Sequence, residues 1–296
     1  MLLHEFAIEP EAISNWNDFR FVVEHCGVHY GRLISRFPSK WEKEVLQSCK
    51  EKGCTDVQLK KITDILHSLK RQFIKNNRDT DNTKSWLENA KQQHKIKPFH
   101  AVITAQPNKY TSPQEFICVA DIDRTKALWN VQNGIILRRC AETMAKCVSP
   151  LFQISRRILL VDPHFDPKLH RFINPLKAFI NEIQRVNPNI SKLEYHFCKD
   201  QKKPHISAEY LRESCGKFLP QNFEIHLVIW TKKFHPRYVL TDVGGIAFEH
   251  GLDTGGNDTD VSLLDPKKHE KRWREFQLEE YQNETDKPFE SIWVKS

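Results

Sequence analysis

No stretch of the 296-residue chain approaches the roughly 18 uninterrupted apolar residues that a membrane-crossing helix requires. Its opening residues, MLLHEFAIEPE, turn acidic before a signal-peptide apolar region can form, so a cytoplasmic location is expected. Cysteine pairs at CxxC spacing are also missing. The eight cysteines (Cys26, Cys49, Cys54, Cys118, Cys140, Cys147, Cys198 and Cys215) are scattered, which reads as reduced, mostly buried thiols. Cys49 and Cys54 have His67 beyond them but no CxxC pair to complete a zinc site, and neither metal nor cofactor is expected. No internal repeat links the two halves, and no long block of like charge marks a disordered tail.

What is present is ordinary for a compact protein: 39% hydrophobic and 28% charged residues. The length exceeds the usual ~100–200 residues of one domain, so two are expected, at 1–151 and 152–296. A net charge of +7 favours an anionic partner such as nucleic acid or a lipid headgroup.

The expected fold class is α/β, with a mainly helical N-terminal recognition or assembly domain, able to meet a partner protein, and an α/β/α C-terminal domain. In the first half, Thr55 and Gln58 have capping-box spacing, and Leu59, Ile62, Leu66, Leu69 and Phe73 form one apolar helical face. FHAVITA (99–105) and EFICVA (115–120) read as strands that can pair as a hairpin, around a loop with Pro107 and Pro113. Leu128, Val131, Ile135, Met144 and Val148 suggest a long helix from Thr125, with Gly134 its weak point and Ser149 and Pro150 ending it. From Ile158 the order becomes strand, helix, strand, helix, strand, ending in FEIHLVIW (223–230), which predicts a mainly parallel sheet covered by helices.

Chemistry concentrates in HPRYVLTDVGGIAFEHGLD, from His235 to Asp253. In an extended segment His235 and Arg237 share a face, and Pro236 suits a strand start. Imidazole can attack phosphorus or move a proton, while guanidinium neutralises phosphate oxygens. Asp242 can orient an imidazole, and Gly244 and Gly245 can admit an anion to backbone amides. A strand and tight turn with solvated polar residues explains the same stretch without chemistry.

Three other clusters carry weaker signals. Asp162, His164 and Asp166 alternate after a strand and suit a metal, a cleft wall or a pair of Asp-Pro turns. Asp253, Asn257, Asp258 and Asp260 miss the EF-hand spacing. KKHEKRWREF is either a phosphate-backbone contact or a solvated helix anchored by Trp273.

HPRYVLTD resembles the His-x-Lys-x4-Asp motif of the phospholipase D superfamily, with Arg237 in the lysine position. ILLVDPHFD and the helix after it resemble an earlier strand and helix of that fold. With Gly251, Leu252 and Asp253, the segment is similar to the phospholipase-D-like C-terminal domain of proteins carrying microtubule-interacting-and-trafficking domains, and to its prokaryotic relatives. The resemblance covers roughly 152–280.

It implies a metal-independent phosphodiesterase, such as a nuclease in antiviral defence. His235 would be the nucleophile, Arg237 the phosphate clamp and Asp242 a support, with Gly244, Gly245, His164, His250 and Asp253 in phosphate-binding or supporting roles. Only one good motif copy is present, because His269 and Lys271 lack the aspartate and lie in an expected helix. Hydrolysis would therefore need a homodimer pairing two His235 side chains. The alternative is a non-catalytic module that binds nucleic acid, a lipid headgroup or an acidic partner protein.

Overall fold

The computed structural model describes residues 1–75, 78–106, 114–123, 125–199, 207–277 and 290–295. They form a mixed α/β chain with two sheets and eight α-helices, none long and apolar enough to cross a membrane. The chain divides into two compact units, Leu3–Asn133 and Gly134–Ser296, the latter joined by Met1–Leu2. The division falls earlier than the expected 151/152 boundary, because 134–138 pairs into the C-terminal sheet.

The N-terminal unit is built on a four-stranded parallel sheet rather than on helices alone. Its strands are β1 (His4–Ile8), β2 (Arg32–Ile34), β3 (Ala101–Thr104) and β4 (Phe116–Cys118), in the order β2-β1-β3-β4. β3 and β4 are the two strands expected to make a hairpin, but they pair in parallel, Val102 against Phe116. All four β3 residues are buried, as in a parallel strand covered on both faces, whereas a surface hairpin alternates apolar and polar positions. The loop expected around Pro107 and Pro113 lies outside the described residues.

Helices α1 (Trp16–Val23), α2 (Trp41–Glu51), α3 (Asp56–Leu69) and α4 (Trp86–Ile96) complete this unit. α3 starts where its sequence says: Thr55 and Gln58 close both arms of the capping box, and Ile62 and Leu66 are buried. The core packs Phe6, Ile8, Phe19, Val45 and Ile62 around Trp41, whose indole N–H donates to the Ile8 carbonyl at 2.6 Å. Cys49 and Cys54 point their thiols at the carbonyls of Ile13 and Ser14.

The C-terminal unit opens with β5 (Gly134–Arg138) and α5 (Ala141–Ile154), where one helix from Thr125 was expected. Leu128, Val131 and Ile135 fit helical spacing, but Ile135–Leu137 is taken up by cross-strand pairing to Thr259–Val261. α5 also runs through Pro150, the expected stop. Proline cannot donate to the carbonyl of Lys146, a residue exposed to water that can satisfy that oxygen.

The chain continues through β6 (Ile158–Val161), α6 (His170–Val186), β7 (Lys192–Cys198), α7 (Ala208–Gly216) and β8 (Glu224–Trp230). Next come β9 (Tyr238–Thr241), β10 (Gly244–Phe248), β11 (Asp258–Leu263), α8 (Pro266–Glu275) and β12 (Glu290–Lys295). The eight-stranded sheet has the order β12-β8-β7-β6-β9-β10-β11-β5. β6, β7 and β8 are parallel, as the sequence order predicts, and the remaining pairings are antiparallel. The sheet therefore reverses direction between β6 and β9, and the carboxyl end of β6 lies beside the start of β9.

Side chains alternate across the sheet. Tyr195 and Phe197 meet Phe165, while His196 between them meets Trp230 and Phe276 on the side packed by Trp273. The Trp230 indole donates to His196 Nδ1 at 3.1 Å, which leaves the proton of a neutral imidazole on Nε2. Burial holds the His196 pKa below its ordinary value, against the opposing pull of Glu194.

Two consequences can be measured. A methyl group at Gly245 would lie 2.8 Å from Leu240 Cδ2 and 2.9 Å from Leu264 Cδ1. Gly245→Ala should therefore cost about 1–3 kcal/mol by overpacking, seen as a lower denaturation midpoint at unchanged m-value. Second, the unfolded chain accepts a proton at residue 196 near the ordinary value of 6.5, and the folded chain resists it. Stability should fall as pH drops through that value, by at most about 1.4 kcal/mol per pH unit for this group. Denaturation of His196→Gln across the same range should show a shallower fall.

Candidate phosphate-binding site

β6 ends in Val161, paired with Tyr238 at the start of β9. Beyond that pair the chains carry Asp162 on one side and Arg237 on the other. Asp162 is 1% exposed, and its carboxylate accepts from the backbone N–H groups of Leu252 at 2.7 Å and His164 at 2.9 Å. Burial raises its pKa most, the two amide donors counter that rise, and the neighbouring Asp253 adds to it while Arg237 opposes it. Both oxygens are thus engaged by backbone.

The loop that supplies Leu252 has little conformational choice. Gly251 has φ +111°, and a Cβ there would lie 2.9 Å from Asp162 Oδ2. Arg139, in the turn after β5, fixes the rest of the loop. Its guanidinium donates to the Asp253 carboxylate at 2.5 Å, to the carbonyls of Asp253 at 3.2 Å and His250 at 3.1 Å, and to the Gly255 carbonyl.

A third tie comes from α6. Pro175 cannot donate to the carbonyl of Arg171 four residues earlier, and that carbonyl instead accepts from the Thr254 N–H at 2.9 Å. Tyr195 lies fully buried near this end of the sheet, its hydroxyl without a hydrogen-bond partner among the described residues. Burial first, then Asp162, Asp253 and Cys215, raises its pKa well above the ordinary value, so the phenol keeps its proton.

Beside this braced end is a cleft of about 320 Å³ lined by His235, Arg237 and Lys268, with Glu249, Asp260 and Ser262 among the remaining walls. His235 is exposed and, among the described residues, its side chain makes no hydrogen bond. Arg237 is half-buried: Nη1 donates to the Glu249 carbonyl at 3.3 Å, and Nε is shielded from solvent with no partner among the described residues. Lys268 extends from the first turn of α8 and is exposed. Two further cations of that helix are paired at short range, Arg274 with Glu270 at 2.6 Å and Arg272 with Glu275.

The other expected site residues are elsewhere. Asp242 follows Thr241, which pairs with Ile158, so it lies at the opposite end of β6 from His235. Its carboxylate accepts from the N–H groups of Arg156 at 2.8 Å and Arg157 at 3.3 Å, and it organises that turn rather than supporting an imidazole. Gly244 and Gly245 begin β10 at the same far end, buried. Gly245 is needed for close packing against Leu240 and Leu264, not for an anion.

His164 and His250 are exposed and contribute backbone groups to the braced loop, His164 N–H to Asp162 and His250 C=O to Arg139. Asp253 is occupied by Arg139. His269 holds the Thr241 carbonyl at 2.8 Å, a tie between α8 and β9. Among the described residues, no group of three or more His, Cys, Asp or Glu is placed to hold a metal ion.

Sequence reasoning missed Arg139, Lys268 as a cleft residue, and the Pro175–Arg171 device. The readable signal for the last was a proline inside a strongly amphipathic run, LHRFINPLKAFI.

No protein-family model matches the chain, and no curated protein matches it. Among solved structures, TrmBL2, an archaeal chromatin protein whose structure shows a novel mode of DNA binding, aligns over 78% of this chain and 86% of its own. The identity is 14% and the TM-score 0.25.

Arg139→Ala should strip the buried Asp253 carboxylate of its guanidinium, leaving it the Gly255 N–H, and free several carbonyls, at a cost of about 3–5 kcal/mol. Amide exchange at 250–256 should accelerate before global unfolding does. Unchanged protection there would mean that the loop is held by other contacts.

Proposed function

We propose that the C-terminal unit binds phosphodiesters through the cleft of His235, Arg237 and Lys268, as a phospholipase-D-like module whose natural ligand is a nucleic acid backbone. The observation that carries this reading is the Arg237 Nε, a donor shielded from water and, among the described residues, left without a partner at the cleft. A buried unsatisfied donor costs about 1–3 kcal/mol, and an anionic oxygen would recover it. The net charge of +7 assists approach to a polyanion. Glu249 and Asp260 in the same walls disfavour a dianionic phosphate monoester, whereas a diester carries a single charge.

A second reading follows from the exposure of His235. An unengaged imidazole at a cleft rim can attack phosphorus, expel one alkoxide and form a phosphohistidine that water then opens. The leaving alkoxide needs a proton, and a second copy of His235 across a homodimer would supply it. This is metal-independent hydrolysis, and the antiviral context of the resembled proteins belongs with it.

Full-length protein titrated with labelled DNA and RNA in EDTA separates the two. Arg237→Ala should weaken binding at least about tenfold, or about 1.4 kcal/mol, and Lys268→Ala should lower the salt-dependence slope by about one. If cleavage occurs, His235→Ala should abolish it with binding retained. Binding indifferent to Arg237→Ala overturns the proposal, and cleavage indifferent to His235→Ala overturns the second reading.

A further inference from the structure

The N-terminal unit has a site of its own, independent of the phosphodiester cleft. The order β2-β1-β3-β4 reverses between β1 and β3, since the chain leaves β1 to one side for β2 and returns to the other for β3. In open parallel sheets such a reversal parts the connections at the carboxyl ends of the strands and opens a crevice there. Glu9 occupies that position. Its backbone N–H donates to the Ile103 carbonyl at 2.9 Å, and its Oε2 accepts from the Ala105 N–H at 2.7 Å, so it spans the carboxyl ends of β1 and β3.

Glu9 borders a cleft of about 710 Å³, and a second lobe of about 430 Å³ shares Lys40, Glu44 and Trp86 with it. Both volumes lie within the roughly 300–1,000 Å³ of small-ligand sites. Trp86 is half-buried and held, its indole N–H donating to the Phe37 carbonyl at 3.2 Å and its ring set edgewise on Phe37 at 5.8 Å. A fixed aromatic ring lining both lobes is a stacking surface that costs little further ordering when a flat ligand arrives.

The polar groups are divided. Lys40 and Lys43 are exposed at the start of α2. Among the described residues the Glu44 carboxylate, between the lobes, makes no hydrogen bond, and the Glu9 carboxylate uses one oxygen only. Burial raises the pKa of both carboxyls, with Ala105 opposing it at Glu9 and Lys40 at Glu44. Poorly hydrated acceptors of this kind gain from hydroxyl or amine donors.

We propose that this cleft binds a mononucleotide, with the base on Trp86, ribose hydroxyls or base amines on Glu44 and the open oxygen of Glu9, and the phosphate between Lys40 and Lys43. Each part of the ligand meets a group of matching chemistry: a flat ring, neutral donors and an anion. A free anion alone leaves Trp86 and the carboxylates unused, and the two lysines in turn select against a bare nucleoside.

Calorimetric titration of the full chain with AMP, GMP, CMP, UMP, adenosine and inorganic phosphate tests it. At least one mononucleotide should bind one-to-one, its parent nucleoside at least tenfold more weakly, and inorganic phosphate not measurably. Lys40→Ala with Lys43→Ala should erase the preference for nucleotide over nucleoside. Trp86→Leu should lower affinity for both, and because Trp86 also packs on Phe37, the Glu44→Ala variant provides a second reading at a residue whose carboxylate holds no hydrogen bond among the described residues. Arg237→Ala should leave mononucleotide affinity unchanged. The inference is overturned if no mononucleotide binds at millimolar concentration, if the Lys40, Lys43 and Glu44 variants bind as the parent does, or if Arg237→Ala removes binding.

Discussion

A carboxylate withdrawn from water must be met by donors, and among the described residues Asp162 at the end of β6 is met by backbone alone. Those donors come from the turn just after it and from a loop 90 residues further along the chain. The loop that carries the second donor is shaped by the positive φ of Gly251, by Arg139 on the carbonyls either side of it, and by the Arg171 carbonyl of α6. The geometry around the cleft of His235 and Arg237 is thus a chain of satisfied polar groups that begins with one buried acid.

The same need accounts for a helix irregularity. A proline in the middle of a helix normally removes a hydrogen bond at a cost of about 3 kcal/mol. At Pro175 the released carbonyl is used by Thr254, so the local defect becomes a tether between α6 and the loop. Pro150 in α5 is handled differently, with its released carbonyl on a residue open to water. Of the two prolines, only Pro175 is coupled to the site.

Much of the architecture was legible. α3 carried both its start signal and its apolar stripe, β6 was a continuous apolar run, and β7 and β8 were strand-like segments rich in apolar residues, the three separated by helical segments. Strand direction was not legible, because the apolar residues of β3 and β4 suit a parallel pair as well as a hairpin. β5 was hidden because Leu128, Val131 and Ile135 happen to follow helical spacing, and only a partner strand more than a hundred residues away decides the matter. In the site, His235 and Arg237 were recognisable as neighbours. Asp242 and the glycines were misplaced because an extended strand carries residues five or more positions on to the far end of the sheet. Arg139 could not be read at all, since its partner Asp253 is 114 residues distant.

That long-range pair also decides where the chain can be cut. A fragment beginning at residue 152 would retain the whole His235–Asp253 stretch, yet it would lose β5, α5 and Arg139 together. The buried carboxylate of Asp253 would then have no guanidinium, and β11 would become an unprotected edge. The inheritable module is therefore larger than its motif: a graft, truncation or recombination that respects the motif but severs 134–151 carries the letters of the site without the charge that shapes it.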